Sequence, residues 1–296
     1  MSRAIVLGGG GPVGIAWESG LVVGLMQRGM HLDEADRVIG TSAGSVVGAR
    51  LGLGRDLAAE IARTYGSRAT GPRATSQNYD ASMGPRMARL RDIMTKAAMQ
   101  DGPREDVLRE MGQFAVEAET APEESFISFF ADLDGAAWPK GFACTAVDTE
   151  SGEFVVWDER SGVPLQLAVA TSCSVPGIFP PISINGVRYM DGGMRSALNA
   201  DMAAGAESVL VVAVTATPPA DTTMPFLARI RQLREAELGV LADSGSKATV
   251  IEPDAAFNEL TGGGLYLMDA SRAAAAYDVG LAQAEQEAER LAAAWS

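Results

Sequence analysis

A serine at position 42 lies in the pattern G-x-S-x-G, between Gly40 and Gly44 and directly after the short apolar stretch 37–39. When a strand runs straight into a helix, small residues on both sides of a serine allow a sharp turn that exposes its hydroxyl at the helix N-terminus. Residues 43–49 can open such a helix. The pattern indicates that Ser42 is a candidate nucleophile, with an ordinary strand-to-helix turn as the alternative.

A serine nucleophile needs a base, and the chain contains one histidine, His31. This residue lies between the end of the first predicted helix and the start of the second predicted strand. In a βαβ unit that position is at the sheet edge opposite Ser42, about 15 Å away for a short strand. The spacing excludes a Ser-His-Asp triad, so a carboxylate must serve as the base.

Among the 38 acidic residues, Asp191 is distinguished by the two glycines that follow it. Gly192 and Gly193 permit an unusual backbone and a close approach to a neighbouring turn. Taken alone, the sequence Asp-Gly-Gly is also simply a turn. Asp191 is therefore a candidate base whose role depends on the other motifs.

A run of four glycines near the N-terminus provides a third motif. The run comprises Gly8, Gly9, Gly10 and Gly11. With Gly14 it contains G-x-G-x-x-G, which is also the dinucleotide-binding fingerprint. A dinucleotide site needs an acidic residue at the end of the second strand, where this chain has residues 40–42, Gly-Thr-Ser, and no Gly-Lys-Ser/Thr follows the run. The remaining interpretation is a set of backbone N–H groups at a helix N-terminus, suited to an oxyanion.

The predicted elements that position these residues alternate between strands and helices. Strands are predicted at 4–7, 37–40, 141–147, 153–157, 182–190 (a short hairpin) and 208–215, and helices from Pro12 to about 28, from 43 to about 66, at 164–172 and at 270–294. This order predicts an α/β fold, a three-layer α/β/α sandwich with a mainly parallel central sheet. Parallel strands would bring the glycine run and Ser42 to the same sheet edge.

Strand signals are absent between residues 66 and 139, where helical patterns cover Pro85–Met99 and Arg104–Glu119. We interpret this region as a helical insertion, or cap, within a single domain spanning residues 1–296. Four methionines in or near it have helical spacing, which is more typical of a core than of a lid facing an acyl chain. They are Met83, Met87, Met94 and Met99.

The composition is that of a folded protein, with 47% hydrophobic and 21% charged residues among 296. A formal net charge of −14 argues against nucleic-acid binding and against docking on anionic lipid. Cys144 and Cys173 form neither a disulfide framework nor a metal pattern, and no cofactor or metal is predicted. Because the N-terminus lacks a signal-peptide pattern and the apolar run 209–214 is too short to span a bilayer, we expect a cytoplasmic protein.

Together the three motifs resemble the patatin-like phospholipases, a family of lipid acyl hydrolases with a Ser-Asp dyad. The glycine run, the serine motif and Asp191-Gly-Gly occur in the family's order. Residues 170–181 look like the family's segment leading to the Asp strand, and Asn199 and the pair 205–206 continue the likeness. The resemblance covers about residues 3–53 and 141–215.

The resemblance implies that Ser42 is the nucleophile, that Asp191 is the base and that backbone N–H groups of the run Gly8–Gly11 hold the oxyanion. It also implies a supporting role for the glycines of the three motifs, namely Gly14, Gly40, Gly44, Gly192 and Gly193. The expected substrate is a lipid or another acyl ester, reached through transient contact with membrane lipid, and no oligomeric state is predicted.

One position departs from the family pattern, since many members have Lys or Arg where this chain has Val13. The missing cation weakens the case for an anionic phospholipid and leaves neutral lipid esters open. Trp17 and Glu18 are candidates for the pocket wall, with a paired structural carboxylate as the preferred interpretation of Glu18. Two alternatives to the hydrolase remain: a catalytically weak relative that binds lipid or a protein partner, and a dinucleotide-binding oxidoreductase, which the missing ribose-binding acid disfavours.

Overall fold

The computed structural model describes residues 2–66, 88–96, 99 and 104–295, and within them eight strands form one sheet. The strands are β1 (Arg3–Leu7), β2 (Arg37–Gly40), β3 (Phe142–Asp148), β4 (Phe154–Trp157), β5 (Ile182–Ile184), β6 (Val187–Asp191), β7 (Ser208–Val212) and β8 (Lys247–Ile251). The run β8-β7-β1-β2-β3 is parallel throughout, and β4, β5 and β6 add antiparallel pairs. The predicted mainly parallel sheet is confirmed.

The helices lie between the strands, as the alternating pattern predicts. They are α1 (Gly11–Gln27), α2 (Ala43–Gly52), α3 (Leu57–Tyr65), α4 (88–96), α5 (Arg104–Glu117), α6 (Glu123–Ile127), α7 (Leu165–Ser172), α8 (Pro225–Asp243), α9 (Ala255–Thr261) and α10 (Ala273–Trp295). Short 3-10 turns also occur, including Gly192–Met194 directly after strand β6. No helix in the described part of the chain is long and apolar enough to cross a bilayer.

The central strand β1 shows why the fold has three layers. Ile5 and Leu7 belong to the larger core, which contains residues of α1, α2 and α10, whereas Ala4 and Val6 belong to a second core with Leu241 of α8. All four side chains are fully buried. Because successive side chains of a strand point to opposite faces, a strand apolar at every position requires cover on both sides.

Two strands, β2 and β6, pair with successive parts of the same edge of β3, and the candidate site residues lie where these two strands end. Cys144 pairs with both β2 and β4, and Ala146 pairs with both β4 and β6, so β2 and β6 share the edge of β3 opposite β4. β2 ends at Gly40, level with Cys144, and the antiparallel β6 ends at Asp191, level with Ala146. The two strand ends therefore face each other across about 7 Å of β3.

The described residues between 66 and 139 contain helices and no strand, as the sequence pattern predicts. Part of the predicted helix Pro85–Met99, with Met83 and Met87, lies outside the described residues. Leu90 of α4 and Phe114 of α5 pack on Val147 of β3 and Met190 of β6. This helical region thus covers the part of β6 that leads to the site. The sequence analysis had not predicted α8, β8 or α9.

Candidate active site

Ser42 occupies the sharp turn between the end of β2 and the start of α2. Its backbone has φ 52° and ψ −115°, a conformation that residues other than glycine rarely adopt. Such a conformation costs on the order of 1–3 kcal/mol and persists only where the surroundings enforce it. The strand–turn–helix geometry predicted from G-x-S-x-G is therefore present, with the strain concentrated at the serine.

Residues of α7 and α2 hold this turn through hydrogen bonds. The Ser42 N–H donates to Ser172 Oγ at 2.9 Å, and the Ser42 carbonyl accepts from Ser45 Oγ at 2.6 Å and from Cys173 Sγ at 3.3 Å. Ser172 and Cys173 were not proposed as site residues from the sequence. Their signals in the sequence were the family likeness of residues 170–181 and a group of polar residues, 172–174, at the end of an apolar helix.

The glycines around Ser42 are required by close backbone contact. A Cβ atom at Gly44 would lie 2.1 Å from the Leu7 carbonyl oxygen, and one at Gly40 would lie 2.4 Å from Ser45 Cα. The remaining motif glycines are also tightly packed: a Cβ at Gly14 would lie 3.1 Å from Val214, at Gly192 2.2 Å from Thr145 Oγ1, and at Gly193 2.8 Å from Asp191 Oδ1. A side chain at Gly40, Gly44, Gly192 or Gly193 would force its neighbours to move, whereas one at Gly14 would require only a small shift of Val214.

Asp191 is the last residue of β6 and is 1% exposed. Its Oδ1 accepts from the Gly193 N–H at 2.7 Å, and its own N–H donates to the Ser174 carbonyl at 3.0 Å. The other oxygen, Oδ2, is buried and has no partner of ordinary hydrogen-bond geometry in the described part of the chain. The residue is thus fixed in place with one carboxylate oxygen open to a proton.

Burial raises the pKa of Asp191 to about 7, because the charged form loses its hydration. The Ser42 hydroxyl and the Gly193 N–H oppose this effect and lower the pKa, since both favour the carboxylate. The hydroxyl is thus close enough to stabilise the charge, although the pair falls short of a hydrogen bond of ordinary geometry. A carboxylate with this pKa is a stronger base than an ordinary aspartate and is about half ionised at neutral pH.

The four N–H groups of the glycine run divide into two pairs. Gly8 and Gly9 donate to backbone carbonyls of other segments, at 3.1 and 2.7 Å. The N–H groups of Gly10 and Gly11 have no partner within the described residues. They lie at the N-terminus of α1, where the helix dipole favours negative charge. Of the four groups predicted to hold an oxyanion, the pair at Gly10 and Gly11 is the one free to do so.

A buried polar network connects the two halves of the site. Thr41, which precedes the candidate nucleophile, lies 3.0 Å from Thr145 of β3, oxygen to oxygen. Asn199 Nδ2 donates to Thr41 Oγ1 at 3.0 Å and to the Ser196 carbonyl at 2.8 Å, and Arg195 donates to its Oδ1 at 2.8 Å. Asn199 has a left-handed backbone, φ 52°. From the sequence it was only part of a family likeness, and the structure places it between β2, β3 and the segment after β6.

Two cavities meet at Ser42. The first, here called the phenylalanine cavity, measures about 350 Å³ and is lined by Phe126, Phe129, Phe130 and Phe179 together with aliphatic residues of α1 and α2. Phe126 stacks on Phe179 at 4.4 Å between ring centroids and contacts Phe130 edge-on at 5.4 Å. An aromatic and aliphatic wall of this kind suits a hydrocarbon chain.

The second, here called the aspartate cavity, measures about 330 Å³ and contains both Ser42 and Asp191 in its wall. Its apolar wall is contributed mainly by α4, α8 and the segment before α10, through Leu90, Met94, Leu198, Phe226, Ile230, Leu233, Leu265, Leu267 and Met268. Gly11, Val175 and Met268 line both cavities. Ser42 therefore lies at the junction of two apolar spaces. A larger cavity of about 570 Å³ between α4 and α5 has a mostly charged lining and contains no predicted site residue.

Other residues considered from the sequence lie away from these cavities. His31 is exposed beyond the start of β2, at the edge opposite Ser42, as predicted. Trp17 is buried, packs on Phe257 and lines neither cavity. Glu18 is also buried, and neither of its oxygens accepts a hydrogen bond of ordinary geometry from a described residue. The Gly8 N–H partly stabilises its charge, but no described cation does, so the expected pairing is wrong. Burial raises the pKa of Glu18 well above its usual range. Val13 is buried in the main core and also lines neither cavity.

The two cysteines do not add a second nucleophile. Cys144 and Cys173 are both buried and unpaired. Burial raises the pKa of the Cys173 thiol, which lies beside the Ser42 backbone, far above neutral pH. It therefore stays a neutral thiol. Within the described residues, no group of three or more His, Cys, Asp or Glu side chains is arranged to hold a metal ion.

Comparison with solved structures finds distant likenesses. VipD from Legionella pneumophila matches with a TM-score of 0.42 at 14% identity, covering 98% of this chain and 67% of VipD. The type III effector protein ExoU matches with a TM-score of 0.36 at 16% identity, covering 96% of this chain and 53% of ExoU. This chain thus spans about half the length of ExoU. Likenesses this distant do not define an activity.

Sequence comparison gives the assignment. No curated protein sequence matches the chain. The family model described as patatin-like phospholipase matches residues 5–204, which include the glycine run, Ser42 and Asp191. Because this match covers well over half of the 296 residues, the chain belongs to the patatin-like phospholipase family.

Proposed function

We propose that this protein is a serine lipid acyl hydrolase in which Ser42 is the nucleophile and Asp191 is its base. The observation that carries the proposal is the meeting of a strained serine and a buried aspartate at the junction of two apolar cavities. The pKa of about 7 for Asp191 supports the role of base, since the side chain can accept and return a proton near neutral pH.

The reaction begins when Ser42 Oγ attacks the ester carbonyl carbon and Asp191 takes the hydroxyl proton. The carbonyl oxygen becomes an oxyanion, which the N–H groups of Gly10 and Gly11 are free to stabilise. Collapse of this intermediate breaks the bond to the alcohol, which leaves with the proton from Asp191. The product at this stage is an acyl-enzyme on Ser42.

Water completes the cycle. Asp191 accepts a proton from the water as the water oxygen attacks the acyl carbonyl, and Ser42 regains a proton as the fatty acid is released. The phenylalanine cavity suits the acyl chain, because its wall is the more aromatic of the two. The aspartate cavity suits the leaving alcohol, which must receive its proton from Asp191.

The test uses hydrolysis of a short p-nitrophenyl ester by wild type, Ser42→Ala and Asp191→Asn. Matched controls are Ser151→Ala and Asp243→Asn, which alter exposed residues outside the site. We expect both site variants to lose activity by about 10³-fold or more, while the controls keep wild-type rates. Equal rates in wild type and both site variants would exclude the dyad. A fluorophosphonate that labels wild type but not Ser42→Ala would identify the nucleophile.

The same experiment separates the hydrolase from a catalytically weak relative that binds lipid or a protein partner. A weak relative would show ester turnover at the level of Ser42→Ala and no stoichiometric fluorophosphonate labelling. The strain stored at Ser42 favours the enzyme, because a binding protein gains nothing from a serine held in this conformation.

A further inference from the structure

Two exposed apolar side chains stand at the openings of the two cavities. Large apolar residues that the described part of the chain leaves exposed are Met99, Phe129, Val156, Met224, Val240 and Leu265. Phe129 is 61% exposed and lines the phenylalanine cavity, and Leu265 is 68% exposed and lines the aspartate cavity. A side chain that is mostly exposed and also lines a cavity must lie at the mouth of that cavity.

The position of these residues links the cavity mouths to Ser42. Both cavities end at this serine, so an apolar molecule that entered past Phe129 or past Leu265 would reach the same hydroxyl. A single exposed apolar residue is ordinary on a protein surface, but each of these two lies at the mouth of an apolar cavity lined by Ser42, and exposed apolar surface beside a binding groove is typical of interaction sites. Phe129 also belongs to an aromatic cluster, since its ring contacts the ring of the buried Phe126 edge-on, with 6.2 Å between the ring centroids.

The charged residues around the cavities indicate which kind of lipid surface the protein can approach. The cavity walls formed by described residues contain no lysine, and each of their three arginines has an acidic partner: Arg50 with Asp132, Arg195 with Asp201 and Arg234 with Glu252. With a net charge of −14, the protein is repelled by anionic lipid and has no free cation at the described walls to offset this. An electroneutral surface carries no such penalty.

We propose that Phe129 and Leu265 form a two-point anchor that inserts into an electroneutral lipid surface and places both cavity mouths against it. This rests on the proposed function, since a lipid ester must leave its bilayer or droplet to reach Ser42. The anchor supplies apolar attraction, and the acidic surface of the protein excludes anionic membranes. The anchor and the acidic protein surface, and not Ser42 or Asp191, would thus determine the selectivity for uncharged or zwitterionic lipid.

The test is co-sedimentation with phosphatidylcholine vesicles in the Ser42→Ala background, which removes turnover. We expect Phe129→Ser and Leu265→Ser each to weaken vesicle partitioning by about tenfold or more, the order given by burying one such side chain. The double variant should weaken it by about the product of the two. Doping the vesicles with anionic phosphatidylglycerol should lower binding of the parent protein.

Matched controls are Val156→Ser and Val240→Ser, which remove exposed apolar side chains that line neither cavity. We expect these to bind within about twofold of the parent, and thermal unfolding checks that all variants are folded. Equal binding by anchor and control variants, no binding by the parent, or stronger binding to anionic vesicles would overturn the proposal. A further outcome is a parent protein that does not bind vesicles but forms a dimer, which the anchor substitutions convert to monomer. That result would assign Phe129 and Leu265 to an interface with a second copy of the chain and would also overturn the proposal.

Because binding is measured without turnover, its failure is distinct from failure of the Ser-Asp chemistry. Vesicle binding with no ester hydrolysis would overturn the proposed function alone. Hydrolysis of soluble esters by a wild-type protein that does not bind vesicles would overturn the proposed anchor alone.

Discussion

The activity of this protein should be controlled by the ionisation of Asp191. In the proposed mechanism only the carboxylate form of Asp191 accepts the Ser42 proton, and burial raises its pKa to about 7. With that pKa, the ionised fraction is about 1% at pH 5, about half at pH 7 and about 90% at pH 8. We therefore expect kcat/KM to rise roughly 50-fold from pH 5 to pH 7 and about twofold more at higher pH.

The assay is steady-state hydrolysis of a short p-nitrophenyl ester across this range at constant ionic strength, corrected for the uncatalysed rate. The pH dependence of kcat/KM reports groups of the free enzyme. The rate at which a fluorophosphonate labels Ser42 should therefore follow the same midpoint without any turnover. Agreement between the two profiles would assign the midpoint to activation of the nucleophile rather than to release of product.

Two results would refute this reasoning. A profile that is flat from about pH 5 to pH 8 and falls only near pH 4 would mean that Asp191 titrates as an ordinary aspartate, so that burial does not control it. A residual activity in Asp191→Asn with the same midpoint near 7 would mean that another group titrates. His31, which is exposed and remote from Ser42, would then be the first residue to replace.

Three further predictions concern stability and positioning. The pKa of Asp191 is about 7 in the folded state against 3.8 for an ordinary aspartate, so its charge destabilises the folded state increasingly as pH rises from about 4 to about 7. Replacing the carboxylate by an amide removes this cost. Asp191→Asn should therefore add up to about 4 kcal/mol to the free energy of unfolding at pH 8 and little at pH 4, as measured by urea denaturation. A gain that is larger at pH 4 would contradict this. Gly44→Ala should lower the free energy of unfolding by more than about 2 kcal/mol, because its Cβ would lie 2.1 Å from the Leu7 carbonyl oxygen. The control Gly239→Ala has open space around the new methyl group within α8 and should raise the free energy of unfolding by about 0.5–1 kcal/mol. Similar shifts in melting temperature for the two variants would contradict the packing argument. Asn199→Ala removes the donor that joins the segments around the site and should lower kcat about tenfold or more with a smaller change in KM, and a pure rise in KM would show that the network binds substrate instead.

The local parts of this protein could be predicted from its sequence. The buried strands predicted at 4–7, 37–40 and 208–215, the turn at Ser42 and the hairpin predicted at 182–190 depend on residues close together in the chain; in the structure the third strand ends at Val212 and the hairpin continues to Asp191. Apolar runs, motif glycines and turn residues act over a few positions, so their patterns can be recognised without the fold. Because the chain has one histidine, His31, at the sheet edge opposite Ser42, the sequence also predicts a carboxylate base.

Predictions failed or were missing where a side chain depends on distant segments. The sequence favours a paired carboxylate at Glu18, yet this side chain is buried and no described side chain pairs with it. The run Gly8–Gly11 is uniform in sequence, but carbonyls from distant parts of the chain accept hydrogen bonds from the first two N–H groups, and no described residue accepts one from the last two. Asn199 and Ser172 contact residues more than 100 positions away, which no local pattern encodes.

The sequence by itself determined which residues could do the proposed chemistry, because a serine hydroxyl, a carboxylate and glycine N–H groups are identities set in the chain. Only the tertiary structure brought Ser42 and Asp191 to one place, because β2 and β6 meet end to end along one edge of β3. It also gave the candidate base Asp191 a pKa of about 7, since that value comes from burial by segments remote in sequence. Distance and desolvation arise from long-range packing, and neither can be read from residue order.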